Sequence, residues 1–225
     1  MLTTFKSHPV QIVFKRGQRA LSLSINLSGK RIRVTAPQRT SLKRIEDFLL
    51  TNQNWIQKHI KATPAFSVYH GMQLPFFGKS HELILHTDRS IKRVLAESDK
   101  LYCRASSPEV ALLNFFKNES LHHANHHGHQ LASRLNVTPQ TIKIKDTLSR
   151  WGSCNRQGEI TLQWRLIFAP EKVFNYVIAH ELCHLLEFNH SPHFWALVKE
   201  IHPSFKDDQK WLKEHGKTLH TYFPN

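Results

Sequence analysis

Apolar and polar residues alternate in several short segments of the first half of the chain. A period of two is expected of strands that bury one face and leave the other in water. The short link at residues 16–19 contains Gly17 and predicts a hairpin between the first two segments. The predicted strands cover residues 10–15, 20–27, 31–36, 74–77, 81–86, 91–96 and 101–103.

A single helix is predicted to interrupt these strands. Ser41 is a favourable N-cap residue, and apolar residues recur behind it at helical spacing. The helix is predicted to end near Lys61, ahead of Pro64. Residues 8–104 are therefore predicted to form a small antiparallel β layer with one helix.

In the second half of the chain, apolar residues recur mainly at the spacing of helices. A Ser-Pro pair at 107–108 predicts the start of a helix that reaches about Leu135. No internal repeat or long low-complexity linker divides the 225 residues, so residues 1–225 are predicted to form one α+β body. Later elements are predicted as strands at 141–146 and 159–164, helices at 170–188 and 192–201, and a short helix near Trp211.

The charge balance is basic, because 31 Lys and Arg residues oppose 17 Asp and Glu residues, for a formal charge of +14. Such a charge favours anionic partners, nucleic acid among them. The basic residues are scattered along the chain, and no recognisable nucleic-acid-binding motif accompanies them. Nucleic acid is therefore a candidate partner that the sequence does not establish.

The first six residues are too polar for a signal peptide, and no run approaches the roughly 20 apolar residues of a membrane span. Three cysteines, odd in number and far apart, do not suggest a disulfide framework. A cytoplasmic protein without a membrane segment is expected. The cysteines are Cys103, Cys154 and Cys183.

The sharpest pattern is H-E-L-C-H at residues 180–184, an H-E-x-x-H motif. On an α-helix of 3.6 residues per turn, His180 and His184 lie one turn apart on the same face. Two imidazoles so placed can share a Zn²⁺ ion, and Glu181 lies where it can take a proton from a metal-bound water. A catalytic zinc usually has three protein ligands and an open fourth position.

His190 is the predicted third ligand. A straight helix would carry it roughly 9 Å beyond His184, so the chain must turn. Asn189 tolerates the left-handed conformation that ends helices, and Ser191–Pro192 predicts the cap and first residue of a new helix. His193 is a rival third ligand, but it would lie in the first turn of that new helix.

A histidine-rich segment, residues 122–129, falls inside the predicted long helix. His122, His126 and His129 share one face, which is a setting for adventitious metal binding. No third-ligand geometry or acidic partner accompanies them, and the segment is predicted to be a solvated face.

Four stretches together resemble the YgjP-like metal-dependent hydrolases, zincin-like proteins generally described as metallopeptidases and akin to the WLM and SprT-type proteases. The resemblance is specific from about Ser149 to Trp195 and implies a zincin-like part at residues 105–225, packed on the β-rich part. The stretches are S-R-W-G-S-C at 149–154, W-R-L at 164–166, H-E-L-C-H at 180–184 and N-H-S-P-H-F-W at 189–195.

The resemblance implies one zinc ion per chain, held by His180, His184 and His190, with Glu181 catalytic. The spacing of the three histidines is also that of the metzincin pattern. That pattern has glycine where this chain has Glu187, and no Met-turn can be picked out, so a metzincin is not assigned.

The leading hypothesis is a zinc-dependent metallopeptidase in which Glu181 activates a zinc-bound water and then protonates the leaving amine. A further hydrogen-bond donor is expected to stabilise the oxyanion. Arg150, Tyr176 and His193 are the candidates, and for Arg150 simple packing beneath the helix is an equal alternative.

Three other interpretations stay open. The same metal could hydrolyse a nucleoside triphosphate, an activity associated with some YgjP-like proteins, with Arg150 or Arg165 holding phosphate. The WLM and SprT likeness and the positive charge favour a protease acting on DNA-associated proteins. A non-enzymatic module with structural zinc would need four closed ligands, and the sequence offers three.

Overall fold

The computed structural model describes residues 2–6, 8–25, 32–62, 66–87 and 94–224. Pro64 and residues 26–27, 31 and 91–93 of the predicted strands lie outside them. The chain forms two compact units, one of residues 1–67 with 223–225 and one of residues 68–222. That the chain works as a single body stays a prediction.

The first unit is a four-stranded sheet with two helices. Its buried residues come from alternate positions of the two inner strands and from one face of the helices, namely Val10, Ile12, Ile32, Val34, Ala36, Ile45, Leu49 and Ile56. The strands are β1 (Leu2–Phe5), β2 (His8–Lys15), β3 (Ser22–Ile25) and β4 (Ile32–Pro37), in the order β1-β2-β4-β3.

The predicted hairpin at residues 16–19 is wrong. β2 pairs with β4 in parallel, and β3 pairs with the far side of β4. The burial patterns give the reason. β4 buries every other side chain and β2 buries Val10 and Ile12, whereas β3 leaves every other side chain exposed and the rest only half-buried. The more apolar β4 therefore takes the inner place and β3 the edge.

The helix predicted over residues 41–61 is two helices, α1 (Leu42–Thr51) and α2 (Gln53–Ala62). Ser41 caps α1 as predicted, because its hydroxyl accepts a hydrogen bond from the Arg44 amide. The break comes at Asn52, whose side-chain amide donates to the Phe48 carbonyl at 2.8 Å. Asparagine competes in this way for backbone carbonyls, which favours helix ends.

The second unit contains two further sheets. One has the order β5-β6-β8-β7 and the other β10-β11-β9. All three sheets use one arrangement, in which a strand is joined in parallel by the second strand of a following hairpin, so the predicted purely antiparallel layer is wrong. The strands are β5 (Gln73–Phe76), β6 (Lys79–His86), β7 (Leu95–Glu97), β8 (Lys100–Arg104), β9 (Thr141–Lys145), β10 (Gly152–Cys154) and β11 (Glu159–Gln163).

The helices of the second unit largely follow the predictions from the sequence. The long helix begins at Pro108 as predicted, although Ser107 makes no side-chain cap. The helix that carries the H-E-x-x-H motif ends at Cys183, five residues earlier than predicted. The helices are α3 (Pro108–Arg134), α4 (Glu171–Cys183), α5 (Pro192–Ile201) and α6 (Phe205–Leu219), with a 3₁₀ helix at Trp164–Phe168.

The histidine-rich segment of α3 has two faces. His122, His126 and His129 are exposed, as predicted. His123 instead faces α4, where its Nε2 lies 2.6 Å from Asn175 Oδ1. Burial lowers the pKa of His123, which favours the neutral imidazole in this contact. The solvated-face prediction is therefore wrong for His123, because helix packing against α4 takes precedence over its polarity.

Arg165 is fully buried in the second unit, in an ion pair with Asp146. Its Nε also donates to the Tyr222 carbonyl at 2.9 Å, and its guanidinium lies 4.5 Å from the centre of the Trp164 ring. All of these contacts are internal. Arg165 is therefore a packing residue, and the phosphate-binding role considered for it is not supported.

Replacing Arg165 with methionine is expected to lower the free energy of unfolding by about 3 kcal/mol or more, since the Asp146 carboxylate would lose its buried partner. The matched control is Lys143→Met, which removes an exposed ion pair with Glu159. The Lys143 side chain is 50% exposed and the Glu159 side chain 39%. That change should cost less than about 1 kcal/mol. Urea unfolding of both variants measures the difference, and equal losses would contradict the expectation.

Among the described residues, no helix is both long and apolar enough to cross a membrane. The three cysteines are free thiols.

Candidate metal centre

Helix α4 places the first two histidines. It is buried through most of its length, and its last turn contains His180 and Glu181, with His184 as the C-cap residue. The ring centroids of His180 and His184 lie 5.0 Å apart. The one-turn spacing predicted from the motif therefore puts both imidazoles on the same side of the helix end.

His190 is brought back to this helix end by a tight turn. After Cys183 the chain continues through short-range backbone hydrogen bonds, such as that from the Leu186 amide to the Cys183 carbonyl at 3.1 Å. The helix therefore ends well before Asn189, and Asn189 is not among the residues with positive φ, so its predicted role as the helix terminator is wrong. Ser191 caps α5 as predicted, accepting a hydrogen bond from the Phe194 amide.

The three imidazoles converge. One ring nitrogen from each of His180, His184 and His190 lies within 4.8 Å of the others. The Nε2 atoms of His180 and His190 are 3.1 Å apart. Two nitrogens each bound at 2.0–2.1 Å to one tetrahedral zinc would be separated by about 3.3 Å, so this pair has nearly the separation that a shared ion requires.

The environment of His180 and His184 favours the neutral form that binds metal. Burial, together with the neighbouring His184 and His190, lowers the pKa of His180 to about 3. Burial also lowers the pKa of His184. The Nδ1 atom of His184 lies 3.0 Å from the Glu187 carbonyl, and a proton held there leaves Nε2 as the electron-pair donor. Three converging imidazoles with one open side fit a zinc ion.

Glu181 lies beside the histidines and is only 5% exposed. Burial raises the pKa of this carboxyl to about 8, and the nearby Arg150 guanidinium opposes the rise. A carboxyl with a pKa near neutrality can both accept and return a proton at physiological pH.

Gly152 on β10 is the site residue that the sequence reasoning missed. A Cβ atom at this position would lie 2.6 Å from Glu181 Cγ and 2.7 Å from Glu181 Cδ, so the glutamate occupies the space that a side chain would need. Glycine is the residue that allows such a close approach. The sequence shows this glycine in the W-G-S stretch, but only the fold brings it into contact with Glu181.

Gly152→Ala is expected to lower kcat/KM about 10- to 100-fold, because the new methyl group displaces the Glu181 carboxylate. The metal content should stay unchanged, since none of the three histidines is touched. Hydrolysis of a fluorogenic peptide, with metal analysis on the same sample, measures both. Activity equal to that of the unchanged protein would show that Glu181 need not be held at this place.

An open cleft of about 510 Å³ contains these groups, and we call it the active-site cleft. Of the three oxyanion candidates, exposed Arg150 lines the cleft. Tyr176 is buried on α4, and burial raises its pKa to about 12. His193 is exposed in the first turn of α5, outside the histidine cluster. The cleft is lined by Ser149, Arg150, Gly152, Ser153, Cys154, His180, Glu181, His184, Phe188 and His190.

The model of the YgjP-like metallopeptidase domain matches residues 19–215. The chain belongs to the YgjP-like family. Membership of this metallopeptidase family implies a divalent metal and peptide substrates, and it makes the chain a metal-dependent hydrolase. The match includes all three histidines and Glu181.

Two other comparisons add little to the YgjP-like assignment. A search of curated proteins found no match. Among solved structures, the crystal structure of the metallopeptidase zymogen of Pyrococcus abyssi abylysin is similar, with 20% identity and a TM-score of 0.37. The alignment covers 40% of this chain and 93% of that one. A TM-score at this level does not establish a shared fold.

Proposed function

We propose that this YgjP-like chain is a zinc-dependent peptidase in which His180, His184 and His190 hold the metal and Glu181 transfers protons. The observation that carries the proposal is the convergence of three imidazole nitrogens within 4.8 Å beside a buried carboxyl group in one cleft. The family match supports the metallopeptidase class. The identity of the metal as zinc and the roles of the individual residues are parts of this proposal.

Each residue has a defined task. When bound, zinc supplies Lewis acidity that polarises the substrate carbonyl and makes water a better nucleophile. Glu181 accepts the proton of the attacking water and delivers it to the leaving amine. Arg150 is exposed on the cleft wall, and we assign it the task of opposing the negative charge that develops on the carbonyl oxygen.

The sheet beside the cleft favours a peptide as the substrate. β10 is an edge strand of its sheet and contributes Gly152, Ser153 and Cys154 to the cleft wall. An edge strand can pair through its backbone with an extended peptide, which would run past Glu181.

The alternatives have less support. A nucleoside triphosphate would need several phosphate-binding groups, and Arg165 is committed to its buried pair with Asp146. The net charge of +14 remains the basis for a DNA-associated substrate, and no described contact adds to it. A closed structural zinc site needs four ligands, whereas the described residues bring three together.

Zinc removal tests the proposal directly. Protein stripped with a chelator is expected to lose casein hydrolysis and to regain it with one equivalent of zinc, since the described residues provide one three-histidine site. Parallel incubation with nucleoside triphosphates should release no pyrophosphate. Zinc-dependent pyrophosphate release without peptide release would replace the peptidase proposal with the nucleotide alternative.

A further inference from the structure

A second cavity of about 190 Å³ adjoins the active-site cleft, and we call it the side cavity. It shares Gly152, His180 and Glu181 with the cleft, so the two meet at the proposed catalytic carboxylate. Its remaining walls are Trp151, Tyr176, Val177 and Leu212. A substrate bond held at Glu181 would therefore lie close to the side cavity.

The walls of the side cavity combine the apolar side chains of Trp151, Val177 and Leu212 with the polar groups of residues at the cleft end. Val177 is 3% exposed and Leu212 9%, so the inner surface belongs to the core. Tyr176 adds a hydroxyl group to the wall. An apolar side chain entering the cavity would gain burial against Trp151, Val177 and Leu212.

Helix α6 contributes to two walls of the side cavity. The Trp151 ring packs on α6, where a Cβ atom at Gly216 would lie 2.8 Å from Trp151 Cζ2. The same ring stacks on His220 with centroids 4.8 Å apart. Helix α6 therefore contacts the Trp151 wall of the cavity and contributes the Leu212 wall.

We propose that the side cavity is a specificity subsite that binds one apolar, branched or aromatic side chain of the substrate residue next to the scissile bond. Whole small-molecule sites span roughly 300–1,000 Å³, so a cavity of about 190 Å³ suits a single side chain. This inference rests on the proposed peptidase function and adds the substrate class: peptides with an apolar residue at the point of cleavage.

The cleavage profile of a tryptic peptide library, read by mass spectrometry, tests the preference. The zinc-loaded protein is expected to enrich Leu, Ile, Met or Phe at one position beside the cleaved bond. Leu212→Trp fills the cavity and should disfavour those residues roughly tenfold relative to Gly and Ala. Lys213→Trp adds the same ring at the next, exposed position of α6 and should leave the profile unchanged.

A binding measurement gives a readout that does not depend on turnover. Calorimetry of the zinc-loaded protein should show that a hydroxamate with an isobutyl arm binds about tenfold more tightly than acetohydroxamate. Leu212→Trp should abolish this gain. Leu212→Ala should shift the preference toward a naphthyl arm, which provides a second variant should the tryptophan variant fail to fold.

The outcomes separate the two proposals. Peptide cleavage with no preference at any position, or an isobutyl gain that persists in Leu212→Trp, overturns the subsite and leaves the peptidase intact. A protein that binds no zinc overturns both. If zinc is bound but no peptide is cut, the peptidase proposal fails, and the hydroxamate affinities alone decide whether the cavity accepts an apolar group.

Discussion

Glu181→Gln is expected to lower kcat for peptide hydrolysis by about 10²- to 10⁴-fold, the usual contribution of a positioned general acid–base group. Glutamine keeps the shape of the side chain beside Gly152 but cannot take up a proton. KM and zinc content should change little, because the loss falls on the transition state and no ligand is altered. Steady-state hydrolysis of a fluorogenic peptide and metal analysis of the same preparation measure all three quantities.

Glu187→Gln is the matched control for this prediction. It makes the same chemical change just beyond His184, at a residue that contacts that histidine through its backbone carbonyl. Its activity should stay close to that of the unchanged protein. If both variants lost activity equally, the effect would come from general loss of charge near the site rather than from proton transfer by Glu181.

His190→Ala is expected to weaken zinc binding by more than about 100-fold, beyond the 10- to 100-fold typical of losing a hydrogen-bonding partner of a ligand. Two imidazoles would remain, and peptide hydrolysis should fall below detection at equimolar zinc. Competition with a zinc-binding dye measures the affinity. The reason is geometric, since His190 Nε2 lies 3.1 Å from His180 Nε2.

His193→Ala is the control for His190→Ala and also tests the rival third ligand. His193 is exposed in the first turn of α5 and lies outside the histidine cluster. Its removal should leave the zinc affinity unchanged. A reversal of the two results would move the third ligand to His193 and would require the turn before α5 to be arranged differently.

Local patterns in the sequence predicted local structure well. Ser41 and Ser191 cap their helices, α5 has its predicted limits, and α3 begins at Pro108. Each of these predictions depends on residues a few positions apart, where helix geometry and capping determine the outcome.

The errors concern competition between segments. The alternation at residues 10–15 and 20–27 correctly indicated strands. It did not indicate that β4 would take the place beside β2. Which strand lies inside depends on how much apolar surface each buries against the helices. Similarly, His123 has the polarity of its exposed neighbours, and only the packing of α3 on α4 buries it.

The sequence by itself determined the candidate metal ligands of this YgjP-like protein: two histidines one helical turn apart, a glutamate between them and a third histidine ahead of a new helix. These features can be predicted from the sequence because helix geometry relates residues that are only a few positions apart in the chain. Only the tertiary structure decided that Gly152 makes room for Glu181, that Arg165 is buried while Arg150 faces the cleft, and that α6 closes the side cavity. These features join residues far apart in the chain, and their contacts follow from packing rather than from spacing.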